Sequence, residues 1–307
     1  MPGSRVPRPR FRMASMATAN KCSQAFDQRV QELPRLGVGI STEYGAAEQG
    51  LDPNALNTSH PELVRFLEIG ADLERGIDPS AWEWVRAGRP TTYHFLDVNL
   101  EESEDVDEEW CRETSELARE AGAAWLCGDA GLWHVGPRDR GHGTLLPPIL
   151  APESADEMAR NVKRMRELTG FEVLPENPPA QVFLGPMHLL DYFARMSDRA
   201  DCGLLLDVAH LVIYQHACGH DLLDGLDGFP FDRIVEVHVA GGSAFEHEGR
   251  TFIDDDHGLE VQAGTWKLLE TVLDRALNLK AVVFECERNR VEAVLPGFER
   301  INEMFVR

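Results

Sequence analysis

The amino-acid sequence predicts a single (β/α)8 TIM barrel, and three observations carry the prediction. Eight short apolar runs recur along the chain, segments with helical spacing separate them, and no internal linker rich in glycine or serine divides the body. Continuous apolar runs suit parallel strands buried on both faces, with helices outside and packed side chains within.

In chain order, the first strand is expected over residues 36–40 and the second over 64–69. The third, 91–96, precedes an acidic run: Glu101, Glu102, Glu104, Asp105, Asp107, Glu108 and Glu109. That run reads as a solvated loop entering a helix over 108–121, whose N-terminus favours negative charge. A fourth strand over 123–126, a helix over 154–168, a fifth strand over 171–174, a helix over 187–196 and a sixth strand over 203–207 follow. The seventh strand spans 234–239. Gly241, Gly242 and Gly249 lie beyond it, but no G-x-G-x-x-G joins a strand to a helix there, so no dinucleotide fingerprint is present. A helix over 262–277, the eighth strand over 281–285 and a helix over 291–305 end the chain.

Residues 1–32 read as a basic, disordered tail ahead of a catalytic barrel over 33–307. Arg5, Arg8, Arg10, Arg12 and Lys21 precede the first acid, Asp27, and Pro2, Pro7 and Pro9 would break an amphipathic helix. The tail lacks the apolar stretch of a signal peptide. Deleting residues 1–30 is expected to leave the barrel intact.

With 52 acidic against 30 basic residues, the formal charge is −22. Such a surface repels phosphate backbones and anionic lipid, which counts against nucleic acid and membranes as partners. Hydrophobic residues make up 43% of the chain, enough for a large core and too many for a disordered chain. Cys22, Cys111, Cys127, Cys202, Cys218 and Cys286 form no C-x-x-C pair. The expected state is reduced thiols in the cytoplasm.

In a barrel the site is built where strands end. His94 lies near the end of the third strand, Glu176 just beyond the fifth, Asp207 ends the sixth, His238 lies in the seventh and Glu285 ends the eighth; Asp254, Asp255, Asp256 and His257 occupy the loop after the seventh. Taken singly, a strand histidine is usually a satisfied core residue and a strand-end aspartate usually caps the next helix. Together they would bury many charges at one mouth, which is tolerated when the charges are paired or bound to metal. Aspartate, glutamate and histidine without thiolate suit iron, manganese or zinc, and bridging carboxylates suit more than one ion.

The same residues carry a resemblance. Cys202-Gly203-Leu204-Leu205-Leu206-Asp207-Val208, Arg233-Ile234-Val235-Glu236-Val237-His238-Val239-Ala240-Gly241 and Ile253-Asp254-Asp255-Asp256-His257-Gly258 are its densest parts. Leu145-Leu146-Pro147-Pro148, Glu176-Asn177-Pro178, Trp266 and Phe284-Glu285-x-Glu287 extend it. The chain resembles the multinuclear non-heme iron-dependent oxidative enzymes, TIM-barrel oxygenases typified by the methanobactin-biosynthesis enzyme. The resemblance implies two or three iron ions, Fe(II)/Fe(III), with O2 as co-substrate. It also implies oxidation of a residue of a ribosomally made precursor peptide, with a separate peptide-recognition protein as partner. Carried over, His94, Glu176, Asp207, His238, Asp255, His257 and Glu285 occupy metal-ligand positions.

Three departures stand out. The family's strand-two Leu-Glu-Val-His reads Leu67-Glu68-Ile69-Gly70; its Ser-Glu-His-Leu reads Asp129-Ala130-Gly131-Leu132; its Asn-Asn after the strand-six aspartate reads Ala209-His210. His210 is a candidate substitute ligand, or else a solvent-facing residue of the next helix. The altered positions leave room for a small-molecule substrate. Two other functions fit the same residues: a sugar-isomerase-like or endonuclease-like divalent-metal barrel, and a non-catalytic binding protein derived from the family.

Overall fold

The structure is a computed structural model that describes residues 25–136, 138 and 145–306. Its strands are β1 (Gly37–Thr42), β2 (Phe66–Ala71), β3 (Thr91–Phe95), β4 (Ala123–Asp129), β5 (Val173–Glu176), β6 (Leu204–Asp207), β7 (Ile234–His247), β8 (Arg250–Gly258) and β9 (Ala281–Glu285). β1 to β6 pair in sequence, β6 pairs with β7, β7 with β9 and β9 with β1, all parallel. Eight strands therefore close a TIM barrel, as the alternation of apolar runs and helices predicts.

The helices are α1 (Phe26–Glu32), α2 (Ala46–Gln49), α3 (Pro53–Ser59), α4 (Pro79–Arg86), α5 (Glu108–Glu120), α6 (Pro152–Thr169), α7 (Leu189–Ala200), α8 (Val208–Cys218), α9 (Ala263–Leu273) and α10 (Val291–Val306). α8 escapes the helical-spacing criterion because Val208 through Gln215 are all buried, so it has no polar stripe to mark its period.

Along each strand alternate side chains point into the barrel, and the inward positions change character from bottom to top. β2 contributes Phe66, Glu68 and Gly70; β4 contributes Trp125, Cys127 and Asp129; β9 contributes Ala281, Val283 and Glu285. The lower layer joins Leu174, Leu205 and Val235 in one apolar cluster. Gly39 makes this layer possible, since a Cβ there would come within 2.4 Å of the Phe66 ring. The ionisable groups sit above, at the strands' C-terminal ends.

Two expectations are corrected. Residues 26–32, placed in the tail, form α1, which closes the barrel bottom with Phe26 and Val30 fully buried in the lower apolar cluster. Arg29 ties α1 to Glu172 at 2.8 Å and Asp201 at 3.3 Å, so deletion through residue 30 would open the core. Residues 1–24 of the expected tail lie outside the described residues. The segment carrying Asp255 and His257, expected as a loop, is strand β8, an antiparallel hairpin with β7.

The acidic run is partly as expected. Asp107 caps α5 by accepting from the Trp110 amide, whereas Asp105 is engaged by His134 at 3.0 Å and Arg138 at 2.9 Å. Among the described residues no helix is long and apolar enough to cross a membrane.

Candidate metal centre

All eight candidate ligands converge at the barrel mouth. His94 is in register with Gly70 on one side and Cys127 on the other; Asp129 pairs with Glu176, and Asp207 with His238. Asp255 and His257 reach the same centre because they are two residues apart on β8 and share its inward face, while Asp254 between that face and the turn is exposed. His210 resolves its alternative readings by being buried, in the first turn of α8, with Nε2 3.1 Å from Asp255.

Each of three histidines is held from behind and presents its other nitrogen to shared carboxylates. The His210 Nδ1–H donates to the carbonyl of Asn177 at 2.8 Å, because a carbonyl can only accept. His257 Nδ1 donates to Glu287 at 2.6 Å, leaving Nε2 3.6 Å from both Asp255 and Glu285. His238 Nε2 is held by Glu68 at 3.1 Å, and its Nδ1 lies 3.2 Å from both Glu176 and Glu285. This is the arrangement by which partners behind the ring fix the tautomer of a metal-bound imidazole. His94 donates to Glu176 at 2.9 Å. The backbone at His257 is left-handed, φ 50°, a conformation of order 1 kcal/mol above the usual regions that the fold retains where the ring enters the site.

Several buried polar atoms of the centre form no hydrogen bond among the described residues and face one another only as ion pairs or across open space: Asp129 Oδ1, Glu176 Oε1, Asp207 Oδ2, His238 Nδ1, Asp255 Oδ1 and Glu285 Oε2. Asp207 shows both readings of a strand-end aspartate at once. Its Oδ1 caps α8 through the His210 amide at 2.6 Å, and its Oδ2 is left facing the centre. Buried atoms of this kind cost about 1–3 kcal/mol each unless something binds them. Two donors at right angles on an ion, each about 2.1 Å from it, stand about 3.0 Å apart, close to the 3.2 Å separations around His238 Nδ1. Among the described residues four buried triads bring their ligand atoms within 4.8 Å of one another, close enough to share a metal: Glu68, Cys127 and Glu236; Glu68, His238 and Glu285; His94, Asp129 and Glu176; Glu176, Asp207 and His210. The residues present fit a multinuclear metal group.

Without metal, protons supply the missing positive charge. Burial disfavours charged histidine, yet the Glu176 hydrogen bond and the neighbouring Glu68 raise His94 to about 9. His210, His238 and His257 are likewise raised against burial, chiefly by Asp207, Glu68 and Glu285 respectively. Burial pushes Asp207 up to about 7 and Asp129 well above the carboxylate range. Burial opposes the charge of Glu176 and Asp255, but His238 and His210 respectively hold both low.

Sequence reasoning missed Glu68, Asp129, Glu236 and Glu287 as members of this group. Period two would have found three of them: Glu68 lies two residues before Gly70, Glu236 two before His238 and Glu287 two after Glu285. Two of the three departures supply donors, Asp129 a carboxylate and His210 an imidazole. The third, Gly70, leaves space.

The chain is 29% identical over 255 residues to a UPF0276 protein of Rhizorhabdus wittichii, covering 82% of this chain and 88% of that one. It is 27% identical over 285 residues to a UPF0276 protein of Caulobacter vibrioides, covering 88% and 98%. Among solved structures, a xylose isomerase domain containing protein from Salmonella typhimurium aligns with TM-score 0.50 at 14% identity, covering 90% of this chain and 97% of that one. A D-allulose 3-epimerase from Methylomonas sp. aligns with TM-score 0.51 at 14% identity, covering 88% and 99%, and both likenesses concern the fold alone. The family described as RiPP precursor modification enzyme MbnB/TglH/ChrH matches residues 44–304. With that match spanning most of the barrel and the motifs at its mouth, the chain belongs to the MbnB/TglH/ChrH family of RiPP precursor modification enzymes.

Proposed function

We propose that the protein is a multinuclear non-heme iron oxygenase or oxidase that uses dioxygen to modify a residue of a ribosomally made precursor peptide. The single observation that carries the reading is the convergence, at one buried centre, of carboxylate and imidazole atoms that form no hydrogen bond among the described residues. His94, Glu176, Asp207, His210, His238, Asp255, His257 and Glu285 would hold two iron ions, with Asp129 as a further donor. Iron supplies the one-electron dioxygen chemistry that no side chain performs unaided.

The chain's own residues do the rest. Glu68, Asn177 and Glu287 fix three imidazoles, so that their metal-facing nitrogens are presented before any ion arrives. Glu285 meets His238 through Oε1 and His257 through Oε2, which suits a carboxylate shared between two ions. Glu236 accepts from Trp125 at 2.6 Å, and burial beside Glu68 pushes it up to about 8, so it keeps a proton beneath the centre. Trp133, Leu145 and Pro179 give the cavity that opens onto the centre an apolar part of its wall.

Oxygen uptake tests the proposal. Protein loaded anaerobically with iron, then given air and the peptide encoded by a neighbouring short reading frame, should consume oxygen and change the peptide's mass. Zinc- or manganese-loaded protein should do neither. Full turnover with redox-inactive metal would instead support the isomerase-like or endonuclease-like reading.

A further inference from the structure

The cavity of about 300 Å³ that opens onto the metal-centre residues is uneven in charge. Among the described residues its charged lining is acidic apart from the histidines and two arginines, Arg75 and Arg288. Both side chains are solvent-accessible, 51% and 63% exposed. Arg75 spends its Nε on Asp72 at 2.6 Å, and its terminal amino groups meet no partner among the described residues. Arg288 lies 3.8 Å from Glu43 and close enough to Glu287 to help hold it ionised, and its guanidinium donates no hydrogen bond among the described residues.

Two further observations mark this side as shaped to receive a group. Thr42, at the end of β1, is buried, lines the cavity and has an Oγ1 without a hydrogen-bond partner among the described residues. Gly70, at the end of β2, lines the same space without a side chain, and a Cβ there would come within 3.1 Å of the Thr42 carbonyl and 3.4 Å of Leu96. A planar carboxylate accepts paired hydrogen bonds from a guanidinium and a third from a hydroxyl.

We propose that the space between Thr42, Gly70, Arg75 and Arg288 is an anion subsite that receives a substrate carboxylate beside the metal centre. The inference deepens the functional reading above and rests on it. It selects substrates that carry an acid next to the reacting atom, either the C-terminal carboxylate of a peptide or a small organic acid.

Calorimetric titration tests this with three probes: N-acetylalanine, N-acetylalaninamide and a ten-residue alanine–glycine peptide with a free C-terminus. Iron-loaded protein should bind the acid about tenfold or more tightly than the amide, a difference expected for a paired charged contact. R75Q/R288Q should abolish the preference with iron content unchanged, and T42V should reduce it. Tighter binding of the peptide than of N-acetylalanine would identify a peptide C-terminus as the source, and equal binding a small acid. The proposal is overturned by equal binding of acid and amide, by a preference that survives R75Q/R288Q, or by no saturable acid binding up to about 10 mM. The same titrations on metal-free protein separate the two readings: failure to take up iron contradicts the metal centre, while the acid–amide comparison still decides the subsite.

Discussion

Glu68 illustrates how much of the site depends on residues that orient its imidazoles. It is buried, and it is the acceptor behind His238. Glu68→Gln keeps the shape but weakens that hydrogen bond, so iron affinity in chelator competition should fall about 10–100-fold with the fold unchanged; unchanged affinity would remove Glu68 from the design. The raised histidines set the pH dependence of metal binding. In the metal-free protein His94 titrates at about 9 and its three companions are also raised, so iron competes with protons throughout the neutral range. Apparent affinity should therefore rise with pH towards about 9 and fall on acidification, with protons released on binding; a flat profile would contradict the assignment. Glu101 offers a test away from the centre. Both its carboxylate oxygens are shielded and meet no side-chain donor among the described residues, and burial raises it to about 7. Its neutral form is the one the fold favours. Its own contribution to stability is therefore fully present below the ordinary glutamate range and is lost as pH rises through about 7, so wild type minus Glu101→Gln in urea unfolding should show a difference that declines over that interval.

At the scale of elements, α1 is a plug for the barrel bottom. Phe26→Ala should cost about 3 kcal/mol in urea unfolding while leaving iron binding intact, because the lower apolar layer and the metal centre are separated by the middle of the barrel. A cost near zero would return α1 to the expected tail. The strands were legible because their apolar runs are continuous, and the strand ends led directly to His94, Glu176, Asp207, His238 and Glu285. α1 was not: Phe26 and Val30 are two apolar positions in a seven-residue helix, too few to establish a period beside a basic, proline-bearing stretch. β8 was hidden for a related reason. Asp254-Asp255-Asp256-His257 has no apolar alternation, since its inward face meets a polar centre instead of a core. His210 was ambiguous in the sequence because the direction of a side chain in a helix's first turn depends on where β6 ends.

For the whole molecule, the barrel fold by itself is silent on chemistry, as its likeness to a D-allulose 3-epimerase at 14% identity makes plain. What distinguishes this chain is the layering of one interior: apolar below, Glu68, Cys127 and Glu236 in the middle, and carboxylates with backed imidazoles at the mouth. Against the net charge of −22, Arg75 and Arg288 stand out among the described residues that line the cavity. The central claim is that the mouth is an iron site shared among carboxylates. Its most direct test is iron stoichiometry by elemental analysis, after anaerobic loading, of the wild-type protein and of Glu176→Ala, Asp207→Ala and Glu285→Ala. The account predicts about two iron ions per chain in the wild type and loss of iron in each variant, because removing a shared carboxylate leaves buried positive charge uncompensated. A zinc-only or metal-free wild type, or iron content unchanged in all three variants, would contradict it.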